Sequence, residues 1–452
     1  MCPMPPPSPC MPFPPHDPNG DKNRTMTAPS QITRRLTSLI LLSGLILMMA
    51  TFVRPAEAAT FDPLQATEAL MAQIDIYASE TSDAYYEGRY WLKFWGFLYA
   101  AAVCFFLLLT LISSYIRDLA TQLSDRLWLQ VPFYILIYTP LAFLLYFPFL
   151  VYKDYTREHQ YDLSNQTFFQ WLNSHMLMEV INILAIALLL TLVYTAIQRA
   201  RRVWWLWGGT IASLLLAFFM IVSPVLIEPM FNDFSPLEEG PLKQDLIVMA
   251  KAQGLDTDRI LVYDGSRQSS RMSGHISGLF GTTRIALSDT ILQNAHNREI
   301  RALIAHEIAH YTRHHLYLAF AGLAVMIFGG FFFLDWSLSW IITRYGALWR
   351  IDHIGDLAGL PLMILLISSY TLLITPLDAA LNRYIEDEAD LVGLEISQDP
   401  DAMASLYIKL AKYRKIRPNA LEEFLFYREM PTEERILEAM RWKANHMENK
   451  ED

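Results

Sequence analysis

Long apolar runs alternate with short polar connections along most of this chain, and one longer polar stretch interrupts them. The runs at about 90–115, 130–152, 177–198 and 203–227 are each long enough to cross a hydrocarbon core of about 30 Å as a helix. Two more lie at about 316–342 and 357–377. An earlier run, Leu36 to Val53, follows Arg34-Arg35 and precedes Ala56-Glu57-Ala58. That order predicts a cleaved signal peptide, with an uncleaved first span as the alternative. Between 230 and 313 the pattern changes. Helical spacing recurs near 239–253 and again before residue 313. Strand-like pieces stand at Ile260-Leu261-Val262-Tyr263 and Arg284-Ile285-Ala286-Leu287, with glycine-rich turns between.

The expected fold is a predominantly α, polytopic membrane helical bundle of six or seven spans carrying a small α+β domain. Six regions follow from the pattern. Residues 1–35 form a disordered Pro-rich head and basic segment, and 36–59 the signal peptide or first span. Residues 60–229 hold four spans. Residues 230–315 form the polar domain, 316–378 a membrane hairpin of two spans, and 379–452 a C-terminal helical part.

Composition agrees. The chain is 53% apolar with a mean hydropathy of +0.22, which belongs to a membrane protein. Many of its 11 Trp and 22 Tyr lie near the ends of apolar runs, where interfacial belts form. A net charge of −10 argues against a nucleic-acid partner, because phosphates need an excess of Lys and Arg. Cys2 and Cys10 lie in the head and Cys104 in a span, so no disulfide framework is encoded. No motif bears on oligomeric state.

Candidate chemistry enters at residues 306–310, His-Glu-Ile-Ala-His, inside the helical pattern. His306 and His310 are four apart, so one helix face offers both imidazoles to one metal. Glu307 stands beside them as a general base for a metal-bound water. A catalytic zinc takes three protein ligands and keeps one position open. A third histidine of the metzincin kind would require Gly at 313 and His at 316, where this chain has Arg313 and Leu316. The next glutamate after Glu307 is Glu386, in Glu386-Asp387-Glu388-Ala389-Asp390. Glu386 and Asp390 share a helix face, so one can ligate the metal and the other can hold a ligand histidine by its free N–H. The reading is one Zn²⁺ per chain on His306, His310 and Glu386, with Asp390 behind a ligand.

HExxH followed far downstream by ExxAD, with apolar spans between, resembles the CAAX prenyl protease 1 family of integral-membrane zinc metallopeptidases. Three further segments are similar to that family: Glu158 to Thr167, Ser223-Pro224 through Pro236-Leu237, and Gly278-Leu279-Phe280-Gly281-Thr282 through Leu287. The likeness runs in order from about 60 to 440. Two positions depart from it. Ser273 stands where the family has Asn, and Met430-Pro431 replaces its His-Pro. The resemblance implies a zinc endopeptidase, with Arg435 near the site as a possible oxyanion contact and with Ser273 and His275 on an edge strand that pairs with extended substrate. A surface Arg and a satisfied loop histidine are the alternatives for Arg435 and His275.

His315 lies about 140° round a helix from His310, off the ligand face, and is read as an interfacial polar residue. Asp335, Asp352, Asp356 and Asp378 flank the spans and are read as interface solvation. Basic residues favour one set of connections: Arg34, Arg35, Arg117, Arg126, Arg199, Arg201, Arg202, Arg344 and Arg350. Placing these in the cytoplasm puts the polar domain outside, in a bacterial inner membrane with a periplasmic catalytic face. The eukaryotic members that the chain resembles face the cytosol instead. The expected substrate is a peptide or an unfolded membrane-associated protein, in envelope quality control or in CAAX-type processing. The contrasting expectation is a non-catalytic membrane protein or transporter that retains a relic zinc fold.

Overall fold

The computed structural model describes residues 61–77, 80–278 and 281–448. The head and the signal peptide or first span at 36–59 lie outside them. Among the described residues, six helices are long and apolar enough to cross a membrane: Thr81–Leu109, Leu127–Gln160, Phe168–Arg199, Trp204–Phe231, His315–Trp349 and Leu357–Ser397. Leu184, Leu214, Phe218, Val325 and Leu373 are exposed on their outer faces. Facing acyl chains, such residues carry no penalty.

In chain order, α1 is Pro63–Tyr77, α2 Glu80–Leu109, α3 Ile112–Leu123, α4 Leu127–Leu150, α5 Phe168–Arg199 and α6 Trp204–Val222. The run expected at 90–115 is not one helix. Leu111 adopts a left-handed conformation, φ 60°, and separates α2 from α3. The Ser113 and Ser114 hydroxyls then donate to the carbonyls of Ala358 and Trp349. α5 begins well before its apolar run because Thr167 and Gln170 form a capping box.

The polar stretch folds into β1 (Phe234–Pro236), α7 (Pro241–Ala252), β2 (Ile260–Tyr263), β3 (Gly274–Ser277), β4 (Arg284–Ser288), α8 (Asp289–Asn294) and α9 (Asn297–Thr312). The sheet order is β1-β2-β4-β3, with β2 parallel to β4 and both outer strands antiparallel. β2 and β4 are the two strand-like pieces. β1, three residues long, has no readable alternation. Leu246, Ile260, Ile285, Ile300, Ile304 and Ile308 fill one buried core. That core fixes the rotation of α9 about its axis.

α10 (His315–Tyr345) and α11 (Leu360–Ser397) form the hairpin, followed by α12 (Pro400–Leu410), α13 (Ala420–Phe426) and α14 (Thr432–Glu448). α11 runs unbroken through 378, so the last span and the ExxAD segment are one rod. An apolar cavity of about 880 Å³ lies between the spans, lined among others by Tyr138, Met326, Met363, Glu179 and Asp378. Asp378 is about 12 Å along α11 from Glu386. Asp356 departs from its expected interfacial setting. It is 7% exposed and paired with Arg117 at 2.6 Å, while Arg350 meets Asp118 at 3.3 Å. The connections before α4 and before α11 therefore share one end of the bundle.

Candidate metal centre and active site

α9 is held at both its start and its flank. The Glu299 carboxylate accepts from the His296 backbone N–H at 2.7 Å and meets Lys409 at 2.6 Å and the Ser405 hydroxyl at 2.6 Å. α11 crosses α9 at close range. A Cβ on Gly393 would lie 3.0 Å from Cα of His306, so a side chain at 393 would push the helices apart. Gly393, Asp390 and Glu386 lie on one face of α11, and that face is brought onto His306.

Three donor groups converge there. His306 Nε2 is 3.0 Å from His310 Nε2 and 3.4 Å from Glu386 Oε2, and His310 Nε2 is 3.7 Å from Glu386 Oε1. Ligands about 2.0–2.1 Å from a tetrahedral zinc sit about 3.3 Å from one another. The residues present therefore fit the metal, with two imidazoles and one carboxylate and, among the described residues, no fourth protein donor in the cluster. Burial lowers the His306 pKa, but the Asp390 and Glu386 carboxylates outweigh burial and lift it to about 10. Burial, and then the neighbouring His306, push His310 down to about 4. Without metal the pair carries one positive charge, on His306, and His310 is neutral.

Glu307 lies on the side of α9 that meets β3. Burial pushes its carboxyl above the usual carboxylate range, and the Ile276 backbone N–H reaches it. His275, also on β3, places Nε2 3.6 Å from the Glu228 carboxylate, which also binds Arg284 at 2.7 Å. Ser273 stands at the head of β3, where its backbone N–H and carbonyl both meet the Ser288 hydroxyl. Its main chain is used to anchor the strand.

Asp390 Oδ1 lies 2.8 Å from Nδ1 of His306. The same carboxylate accepts from the Tyr407 hydroxyl at 2.8 Å and from Arg435 Nε and Nη2 at 2.5 and 2.6 Å. Arg435 departs from the surface setting that was its alternative. It is 5% exposed, so it is not a surface residue. Its Nε and Nη2 donate to Asp390 and its Nη1 to Glu429, with the guanidinium over the Tyr407 ring. Tyr407 carries no sequence signal, because a lone Tyr on an apolar helix face reads as packing.

His315 is a second correction. His314 takes a left-handed conformation, φ 57°, between α9 and α10, so the two histidines do not lie on one continuous helix. His315 is 3% exposed. Its Nδ1 lies 3.0 Å from Nδ1 of His310, and its Nε2 lies 3.4 Å from Glu388 Oε2. It is buried against a site histidine rather than standing at a membrane interface.

Comparison with known proteins completes the picture. Residues 236–443 match the model of peptidase family M48, and residues 63–233 match a model described as CAAX prenyl protease N-terminal, five membrane helices. A Bacillus subtilis protein named as an uncharacterized metalloprotease, YhfN, is 26% identical over 307 residues, covering 68% of this chain and 72% of that one. CAAX prenyl protease 1 of Saccharomyces cerevisiae is 43% identical over 98 residues, 22% of each chain. The Arabidopsis thaliana homologue is 29% identical over 195 residues, 41% of this chain and 44% of that one. The match thus spans less than half the length of the yeast and plant relatives. The crystal structure of S. mikatae Ste24p superposes with a TM-score of 0.60 at 23% identity, over 72% of this chain and 79% of that one, and so shares the fold. In-order matches to both models, on a membrane bundle of that fold, lead to one conclusion: the chain belongs to peptidase family M48, as a multi-pass membrane metalloprotease of the CAAX prenyl protease type.

Proposed function

We propose that the protein is a zinc-dependent endopeptidase in which His306, His310 and Glu386 hold the metal and Glu307 is the general base. The observation that carries this is the convergence of the three donor groups on one point beside Glu307. When bound, zinc supplies a Lewis acid for the scissile carbonyl and lowers the pKa of a water. Glu307 takes the proton of the attacking water at its carboxylate and hands it to the leaving amine. Burial raises the Glu307 pKa, which favours its holding the proton between the two steps. Asp390 holds His306 in the tautomer that presents Nε2, and Arg435 orients Asp390 through two hydrogen bonds. β3 is an edge strand beside Glu307, and an extended peptide laid along it would be bound through its main chain with little sequence preference. Hydrolysis of casein or a labelled peptide should fall at least tenfold on chelation and return when zinc is added back. Hydrolysis that persists through complete zinc removal would move the activity to another site.

The natural substrate is a peptide or an unfolded membrane-associated segment, processed in envelope quality control. Several relatives are named CAAX prenyl protease 1, so a prenylated C-terminal peptide is the competing class. Met430 in place of the family histidine favours the first reading. The catalytic face is placed on the outer, periplasmic side of a bacterial inner membrane. Arg117 and Arg350 gather at one end of the bundle, as the cytoplasmic end of a span set does. Alkaline phosphatase fused after Asp452 should be active. Fluorescence from a cytoplasm-only reporter at the same place would reverse the orientation.

A further inference from the structure

The two histidines of the site are supported from behind in different ways. His306 has the Asp390 carboxylate at its Nδ1. His310 has no carboxylate at its Nδ1. The group there is another imidazole, His315, at 3.0 Å. We propose that His315 is a positioning residue for the metal site, and that it carries the pull of a carboxylate, Glu388, to His310 across one ring. The inference rests on the reading of His310 as a metal ligand.

The geometry allows one consistent set of protons. A neutral His310 that offers Nε2 toward the metal keeps its proton on Nδ1. That N–H donates to Nδ1 of His315, which must then be the unprotonated nitrogen. His315 carries its own proton on Nε2 and donates it toward Glu388, 3.4 Å away. Arg313 Nε lies 3.5 Å from the other oxygen of Glu388 and faces that carboxylate from its far side. The proton direction runs from ligand to carboxylate, as it does between His306 and Asp390, with one more link.

The backbone is shaped for this contact. His315 is the first residue of α10, and the left-handed turn at His314 swings it back beneath α9. Such a conformation in a residue other than Gly is uncommon and is kept where the surroundings demand it. A polar ring that is 3% exposed at the head of an apolar span would be costly without partners. Both of its nitrogens have one. α11 thereby serves the site three times: Glu386 toward the metal, Asp390 behind His306, and Glu388 behind His315.

The test uses the full-length protein in nanodiscs. Wild type, His315→Leu, His315→Asn, Glu388→Gln and His310→Ala are compared by zinc competition with a chelator and by the visible spectrum of the cobalt-loaded form. His315→Leu fills the buried space without an acceptor. It should weaken zinc roughly 10–100-fold and shift the cobalt spectrum. His315→Asn places an oxygen near the position of Nδ1 and should return affinity to within a few-fold of wild type, with a near-normal spectrum. Glu388→Gln should weaken zinc less than His315→Leu does, because it removes the outer link only. Wild-type affinity and spectrum in His315→Leu would overturn the proposal. Equal loss in His315→Asn and His315→Leu would also overturn it, by assigning the effect to packing. His310→Ala separates the two levels: stoichiometric zinc in that variant would remove His310 from the ligands, and the support role of His315 would fall with it.

Discussion

Glu307→Gln should abolish peptide hydrolysis while leaving zinc, fold and substrate binding in place. Gln is nearly isosteric with Glu, so the packing of α9 between the Ile300, Ile304 and Ile308 core and β3 is kept. What is lost is the capacity to take a proton from water and return it to the leaving amine. General acid–base catalysis contributes about 10²–10⁴ in rate, and a residue serving both steps belongs at the upper end of that range. The expected signature is a fall of that size in kcat with KM little changed and about one zinc per chain still bound. If wild type and variant cleave casein equally well, the activity belongs to another site or a contaminant. If wild type is inactive with zinc bound and Met430→His restores cleavage, the missing family histidine was limiting.

Glu386→Ala should lose most of its zinc. The carboxylate is the one anionic donor in the cluster, and its oxygens stand 3.4 and 3.7 Å from the two imidazole nitrogens. Removing it leaves two neutral ligands on one helix face, a set that holds zinc weakly. Elemental analysis should give about one zinc per chain in wild type and in Glu307→Gln, and a small fraction of that in Glu386→Ala. Asp390→Asn should fall between them, with affinity down about 10–100-fold. Zinc uptake also has a pH sign. His306 is lifted to about 10, so the metal must displace its proton throughout the neutral range. Apparent affinity should therefore fall about tenfold for each pH unit lost. Stoichiometric zinc in Glu386→Ala would take Glu386 off the ligand set.

Short-range patterns account for most of what could be read in advance. Spans announce themselves because hydrocarbon demands long apolar helices, and all six described spans follow apolar runs. The pairing of His306 with His310 is legible because helical spacing is local. The partnership with Glu386 is legible only because a zinc site needs a third ligand and the chain offers few acidic candidates. Leu111 and His314, by contrast, carry no signal of a left-handed turn. Without those turns α2 and α3 read as one span, and His315 reads as lying off the site.

By itself, then, the sequence determined the membrane bundle, the small α+β domain and the residue types of the proposed metal site, because each rests on periodicity or on donor chemistry. Tertiary structure decided which groups stand behind those donors. Arg435 meets Asp390 across 45 residues, and Tyr407 meets it across 17. His315 reaches Glu388 across 73. Such pairings depend on how α9, α11, α12 and α14 cross, and the crossing is set by side-chain volume, above all by the absence of a side chain at Gly393. A volume constraint between distant helices has no period along the chain, so only the folded structure reveals it.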